Sequence, residues 1–319
     1  MRWNHRGDRA IDPCGGSGMN PILKVDDLLD SRLMARLDRL DVISRKIFAG
    51  KIQGERRSRR RGQSVEFADF RNYSHGDDLR FVDWNIYARL DRLFLKLFLE
   101  EEDLSMVIAL DMSMSMNGGN PNKFDYARRL AMALGYIGLV NNNRVSLFGF
   151  GAERIERLTS MRGRRRTREM GRWLLDRTPE GIGGFTDGMR TIALGAQGRG
   201  VLIVLSDFLF PDGYEKGLNY VAGRGFDVFA LQLLAPEEMD PARHGLAGDL
   251  RLIDSETNQE TEVTASSAVL TQYRKSLEAY VAGLRDFSVR RSITHQVVET
   301  SLDMDTLLLD YLRRRGLLA

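Results

Sequence analysis

The chain has 319 residues and a formal net charge of +3, with 43% hydrophobic and 29% charged residues. That balance is of a soluble globular protein and excludes a fibrous or wholly disordered chain. The single cysteine, Cys14, excludes an intrachain disulfide framework and a multi-cysteine zinc site, and His5, His75, His244 and His295 add no metal-ligand spacing.

No run approaches the roughly 18 apolar residues of a membrane span, and the N-terminus carries no apolar leader, so a cytoplasmic location is expected. Residues 1–24 mix charge, Gly and Pro without periodicity and are expected to be disordered, with Met19 a candidate for the true start. Residues 25–62 comprise an amphipathic helix and a basic loop. Val25, Leu29, Leu33, Leu37, Leu40, Ile43 and Ile47 recur at steps of three and four, which predicts a helix from Val25 to Phe48 that packs its stripe on the main domain. Asp26 or Asp27 suits its start. The loop from Gly50 to Gly62 carries Arg56, Arg57, Arg59, Arg60 and Arg61.

Residues 63–103 are dense in acids, arginines and aromatics. Glu66, Asp69, Arg71, Tyr73, Gly76, Asp77, Asp78, Arg80, Asp83 and Trp84 fall within one short stretch. Buried carboxylates and guanidiniums are costly unless paired, so a buried polar network with partners inside the segment is expected. Leu93–Leu99 reads as a strand, and Glu100–Asp103 as the turn leading out of it.

From residue 104 onward helix and strand patterns alternate. Strands are predicted at 104–110, 145–150, 155–158, 201–205, 226–233 and 295–299; helices at 124–140, 165–177, 187–195, 214–223, 268–286 and 304–315. Such alternation predicts an α/β domain with a doubly wound, mostly parallel sheet and helices on both faces. Residues 236–267 break the pattern as a small β excursion, with a strand at 250–253.

The chemistry gathers at strand ends. Asp111 terminates the apolar run Leu104–Leu110 and is followed by Ser113 and Ser115. In open α/β sheets ligands bind beyond the carboxyl ends of strands. One carboxylate and two hydroxyls from alternate residues suit a small hard cation, for which Mg²⁺ is the natural candidate. Thr186 opens a helix after a glycine-rich loop, and Asp207 terminates the run Val201–Ser206. Each position alone has an ordinary reading as a cap or turn residue; the five together point to a metal site.

In the order Asp111-x-Ser113-x-Ser115, Thr186, Asp207, the sequence resembles a von Willebrand factor A domain over about residues 104–312. The resemblance implies a metal-ion-dependent adhesion site. Ser113, Ser115 and Thr186 would supply hydroxyl ligands, Asp111 and Asp207 would bind directly or through water, and a partner protein's carboxylate would fill an open position. The stretch Glu66 to Trp84, continuing to Ala88-Arg89, also resembles the signature of the domain of unknown function 58 family, as do Leu252-Ile-Asp254-x-Glu256 and the Arg-rich C-terminus. Its signature residues here are Arg71, Tyr73, Gly76, Asp77, Asp78, Arg80, Asp83, Trp84 and Arg89. This resemblance implies a companion or adaptor for a MoxR-type AAA+ ATPase. Many members carry membrane segments near the N-terminus, and the lack of one here argues for a soluble version.

The competing readings are weaker. A phosphatase with an aspartate nucleophile would need a second Asp where Ser113 stands, and serine is no general acid near neutral pH. No Gly-x-Ser-x-Gly elbow surrounds Ser113 or Ser115, and no phosphate-binding Gly-x-x-x-x-Gly-Lys-[Ser/Thr] loop exists. Nucleic-acid binding rests on the two arginine runs, Arg56–Arg61 and Arg162–Arg168, which lack aromatic stacking platforms. The sequence therefore favours a non-enzymatic interaction module.

Overall fold

In a computed structural model, the described residues are 2–5, 22, 24–44, 66–99, 104–151, 154–181, 184–196, 198–246, 248–253 and 260–318. The basic loop at 50–62 and the turn at 100–103 lie outside them. The chain divides into two compact units, Met1–Phe48 with Leu104–Ala319, and Ala49–Asp103.

In the larger unit Arg2–His5, where no element was predicted, forms strand β1 and pairs antiparallel with a strand in the 236–267 excursion. The smaller unit contains β2 (Glu66–Asn72) and β3 (Phe94–Leu99), paired antiparallel, with the helix Trp84–Leu90 between them. The remaining strands are β4 (Ser105–Asp111), β5 (Arg144–Phe150), β6 (Glu156–Met161), β7 (Gly200–Ser206), β8 (Phe226–Leu234), β9 (Gly248–Ile253), β10 (Glu260–Ala265) and β11 (Thr294–Glu299). Six of them form one sheet in the order β11-β8-β7-β4-β5-β6. Its neighbours are parallel except for β5 and β6, which run antiparallel. The excursion is real and small: β9 pairs with β10 and with β1.

The central strands have no polar face because both faces are covered. Every residue of β4 and β7 is buried. Successive side chains of a strand point to opposite faces, and the two cores divide accordingly. Met106, Ile108 and Leu110 join Val201, Ile203 and Leu205 in one core, together with the helix Lys123–Val140. Val107 and Ala109 join Leu202 and Val204 in the other, with the helices Phe185–Gly195 and Glu215–Ala222. Each such aliphatic side chain withdrawn from water contributes about 1.5–3 kcal/mol before entropy is counted.

The N-terminal stripe packs on the first of these cores, but not as one helix. Two short helices form instead, Val25–Leu28 and Ser31–Leu37. The break falls at Leu29, where the backbone is extended, and Asp30 restarts the helix by accepting the Leu33 amide at 2.7 Å. Of the predicted stripe, Leu29, Leu37 and Leu40 are buried and Val25 and Leu33 partly so, while Leu28 and Val42, which lie off it, are buried too. Val42 then bridges to Leu318, and the Ile43 amide donates to the Leu317 carbonyl at 2.9 Å, so the segment ends extended. The predicted final helix is continuous but changes its winding, α-helical over Met304–Thr306 and widening to a π-helix over Leu307–Leu312.

Candidate metal centre

Chain progression reverses between β4 and β7. From β4 the chain crosses to β5 on one side, and β7 then occupies the other side of β4. The carboxyl ends of these two strands frame the crevice where open α/β sheets bind ligands. Asp111 is the last residue of β4, and Asp207 follows the last residue of β7.

Both carboxylates are fully buried. Asp111 Oδ1 accepts the Ser113 amide at 2.9 Å, and Oδ2 accepts the Ser206 hydroxyl at 2.5 Å. The Ser113 and Ser115 hydroxyls hydrogen bond each other at 2.9 Å, and the Ser115 side chain helps to lower the Asp207 pKa. A polar chain therefore runs from Asp111 through Ser113 and Ser115 toward Asp207. The motif turn is held from outside as well. The Met112 amide donates to Phe150 at 2.7 Å, and the Glu180 amide donates to the Met112 carbonyl at 2.7 Å.

Thr186 does not join that chain. It is the second residue of the helix Phe185–Gly195 and is half-buried. Its neighbour Phe185 packs edge-on against Phe150, 5.8 Å between ring centres, and against Phe208 at 5.7 Å. Those two rings adjoin Gly151 and Asp207, so aromatic packing sets the helix start beside the crevice.

Three neighbours of the site gave no signal in the sequence. Ser206 bridges Asp111 and the Phe208 amide (2.8 Å). Lys123, 1% exposed, places its Nζ 2.9 Å from Asp207 Oδ2 and 2.6 Å from Glu238 Oε1. Gln232 donates from Nε2 to the Asp207 carbonyl at 3.1 Å, which leaves its Oε1 to accept from His295 Nε2 at 3.1 Å.

Burial, then the negative charge of Asp207, raises the Asp111 pKa, against hydrogen bonds from Ser206 and Ser113. Burial would raise Asp207 too, but the Lys123 ammonium outweighs it and holds this carboxyl low. Burial would lower Lys123, but Asp207 and Glu238 together keep it charged. Among the described residues no group of three or more His, Cys, Asp or Glu is suited to a metal. The donor set is instead two buried carboxylates and a run of hydroxyls. That set suits a hard divalent cation that retains waters, and a cation would relieve the repulsion Asp111 feels from Asp207.

His295 carries a separate consequence. Burial, then the charges of Arg285 and Arg315, lowers its pKa from 6.5 to about 4. The unfolded chain therefore takes up a proton between those values that the fold refuses, and stability falls as pH drops through that window. Urea unfolding should lose about 2 kcal/mol between about pH 7 and about pH 5 from this group, and His295→Gln should flatten the slope by that amount. An equal slope in the variant would assign the acid loss elsewhere.

In the smaller unit the signature residues pair among themselves, though mostly at the surface rather than in the buried network expected. Arg71 Nη2 meets Asp77 Oδ1 at 2.7 Å, and Asp77 Oδ2 accepts the Ser74 amide at 2.8 Å. The Tyr73 amide donates to the Leu93 carbonyl at 2.9 Å. Gly76 holds φ +99° in the turn. Asp78 and Arg80 form a fork with both side chains exposed, so the pair contributes little to stability. Asp83 is buried and caps the helix Trp84–Leu90 by accepting the Asn85 and Ile86 amides. Trp84 is exposed and edge-on to Tyr87, and Arg89 is exposed.

Of the arginine runs, only Arg162–Arg168 lies among the described residues. Arg164 pairs with Asp38 at 3.2 Å and Arg166 with Glu169 at 2.7 Å, so part of that charge is already neutralised within the protein.

The strand order, its one antiparallel edge and the Asp-x-Ser-x-Ser turn at the switch point define a doubly wound α/β domain, the architecture that the resemblance to von Willebrand factor A domains implies. The chain belongs to the family described as "Protein of unknown function DUF58", which matches residues 69–282. Among curated proteins it is 24% identical over 267 residues to the "Uncharacterized protein Rv1480" of Mycobacterium tuberculosis (strain ATCC 25618 / H37Rv), covering 82% of this chain and 83% of that protein. Two solved structures are similar at low TM-score. One is an aerotolerance-related membrane protein from Bacteroides fragilis NCTC 9343, with TM-score 0.39, 14% identity and coverage of 66% of this chain and 97% of that chain. The other is the SpRpn10 VWA domain, with TM-score 0.38, 14% identity and coverage of 65% and 94%. No helix among the described residues is long and apolar enough to cross a membrane.

Proposed function

We infer that this protein is a non-enzymatic, metal-dependent interaction module. Asp111, Ser113, Ser115, Thr186 and Asp207 hold a divalent cation, Mg²⁺ by its preference for oxygen ligands and water. A carboxylate from a protein partner completes the site. The observation that carries the reading is the meeting of two buried carboxylates, Asp111 and Asp207, with the paired Ser113 and Ser115 hydroxyls at the switch point of the sheet. Neutral hydroxyls and few carboxylates leave a bound cation electrophilic toward an outside anion. Catalysis is disfavoured because the position where an aspartate-based phosphatase needs an acid holds Ser113. The partner class follows from the family resemblance: a MoxR-type AAA+ ATPase, or the client it remodels, with this protein as adaptor in maturation or assembly.

The test is affinity capture from native lysate in Mg²⁺ and in EDTA, with bound proteins identified by mass spectrometry. An AAA+ ATPase or one defined client retained only in Mg²⁺ is the expected result. Identical capture in both buffers would place the interface away from the metal site.

A further inference from the structure

Lys123 is unusual for a lysine. It begins the helix Lys123–Val140, yet its side chain is 1% exposed, against a background in which lysine is almost never fully buried unless paired. Its ammonium touches two carboxylates from two other elements, Asp207 after β7 and Glu238 after β8. Glu238 is itself anchored, because its Oε2 accepts the Ala235 amide at 2.9 Å while its Oε1 takes Lys123. The loop leading into the helix is tied to the same place, with the Asn120 amide donating to Glu237 at 2.6 Å and the Thr300 hydroxyl donating to the Pro121 carbonyl at 2.9 Å. The lysine is therefore positioned rigidly, with its charge against one of the two aspartates that a cation would need.

A buried ion pair is not a neutral spectator to a third charge. Asp207 Oδ1 accepts the Leu209 amide at 3.1 Å, and Oδ2 accepts Lys123. A divalent ion drawing on Asp207 has to share that carboxylate with an ammonium of like sign, in surroundings that screen poorly. Glu238 works in the opposite direction, since it draws the lysine's charge away from Asp207.

We propose that Lys123 is an internal counter-cation that competes with the divalent ion for Asp207 and so sets a weak, readily reversible metal affinity, with Glu238 moderating the competition. This rests on the metal-site reading above and adds to it a residue that keeps Asp207 charge-balanced when no metal is bound.

The experiment is calorimetric titration of the full chain with MgCl₂ and with MnCl₂ for wild type, Lys123→Met, Lys123→Arg and Glu238→Gln, with thermal unfolding of each in EDTA. Lys123→Met should bind metal at least about tenfold tighter while unfolding at lower temperature in EDTA. Lys123→Arg keeps the charge and should stay within about threefold of wild type. Glu238→Gln leaves the ammonium to Asp207 alone and should bind several-fold weaker. A purely structural lysine would make both Lys123→Met and Glu238→Gln weaker, so the opposite signs carry the proposal. Metal bound by wild type but no tighter by Lys123→Met overturns the competition and leaves the metal site standing. Binding by Lys123→Met alone supports it in its strongest form. No binding by either overturns the metal site and the competition together. Should Lys123→Met fail to fold, Lys123→Gln, which is also neutral, takes its place: tighter binding than wild type supports the proposal, and equal or weaker binding overturns it.

Discussion

Asp111→Asn should abolish metal binding while leaving the domain folded. The amide has nearly the shape of the carboxylate: its oxygen still accepts the Ser113 amide, and its nitrogen donates to Ser206, whose hydroxyl now faces Asp111 at 2.5 Å. What disappears is the charge, in a position where it is fully buried and repelled by Asp207. Relief of that repulsion offsets the acceptor that the Ser206 hydroxyl loses, so metal-free stability should change little. A ligand at about 100 times its dissociation constant stabilises the fold by about 2.7 kcal/mol, and that increment should vanish in the variant. Urea unfolding with and without Mg²⁺ measures both quantities. A full Mg²⁺ increment in Asp111→Asn would remove Asp111 from the site. The alanine variant is a poorer probe, because it leaves the Ser206 hydroxyl and Ser113 amide without their acceptor, at a cost of about 1–3 kcal/mol.

The second large effect is at Gly151, where β5 ends beside the motif turn. Its φ is +95°, and a Cβ there would sit 2.7 Å from the Ser113 nitrogen and 2.8 Å from Asp111 Oδ1. The first of those atoms is backbone, so relief requires moving the turn itself. Gly151→Ala should cost about 3 kcal/mol, combining left-handed strain with displacement of the turn, and should also remove the Mg²⁺ increment. Gly225 supplies the control in the same unit. It holds φ +83°, and a Cβ added there would meet nothing within 4 Å, so Gly225→Ala should show only the strain, about 1 kcal/mol, with the Mg²⁺ increment intact. Equal losses in the two variants would show that Gly151 serves backbone conformation alone and does not shape the site.

How much of this was readable in advance depends on the distance over which each feature is decided. The helices and strands from residue 104 onward were legible because their periodicity is local: β4 and β7 are unbroken apolar runs ended by Asp111 and Ser206-Asp207. The break in the N-terminal helix was not, since a stripe at steps of three and four reads the same whether or not the backbone extends at Leu29. With the break in place Leu29, Leu37 and Leu40 of that stripe are buried, as an unbroken stripe would also lead one to expect. The pairing of the signature segment was anticipated, but its exposure was not, because Asp78 and Arg80 satisfy each other two positions apart without help from burial.

By itself the sequence determined that Asp111 and Asp207 stand at strand ends and Thr186 at a helix start. Residue identity and local periodicity suffice for that, with burial on both faces of a parallel sheet producing apolar runs that stop at Asp111 and Asp207. Only the tertiary structure decided the strand order, the reversal of β6, and the charge balance of the site. Strand orientation leaves no local trace, and Lys123 reaches partners 84 and 115 positions away. A buried charge is tolerated only where the fold brings its counter-charges, and that meeting exists nowhere in the chain until β4, β7 and β8 are packed side by side.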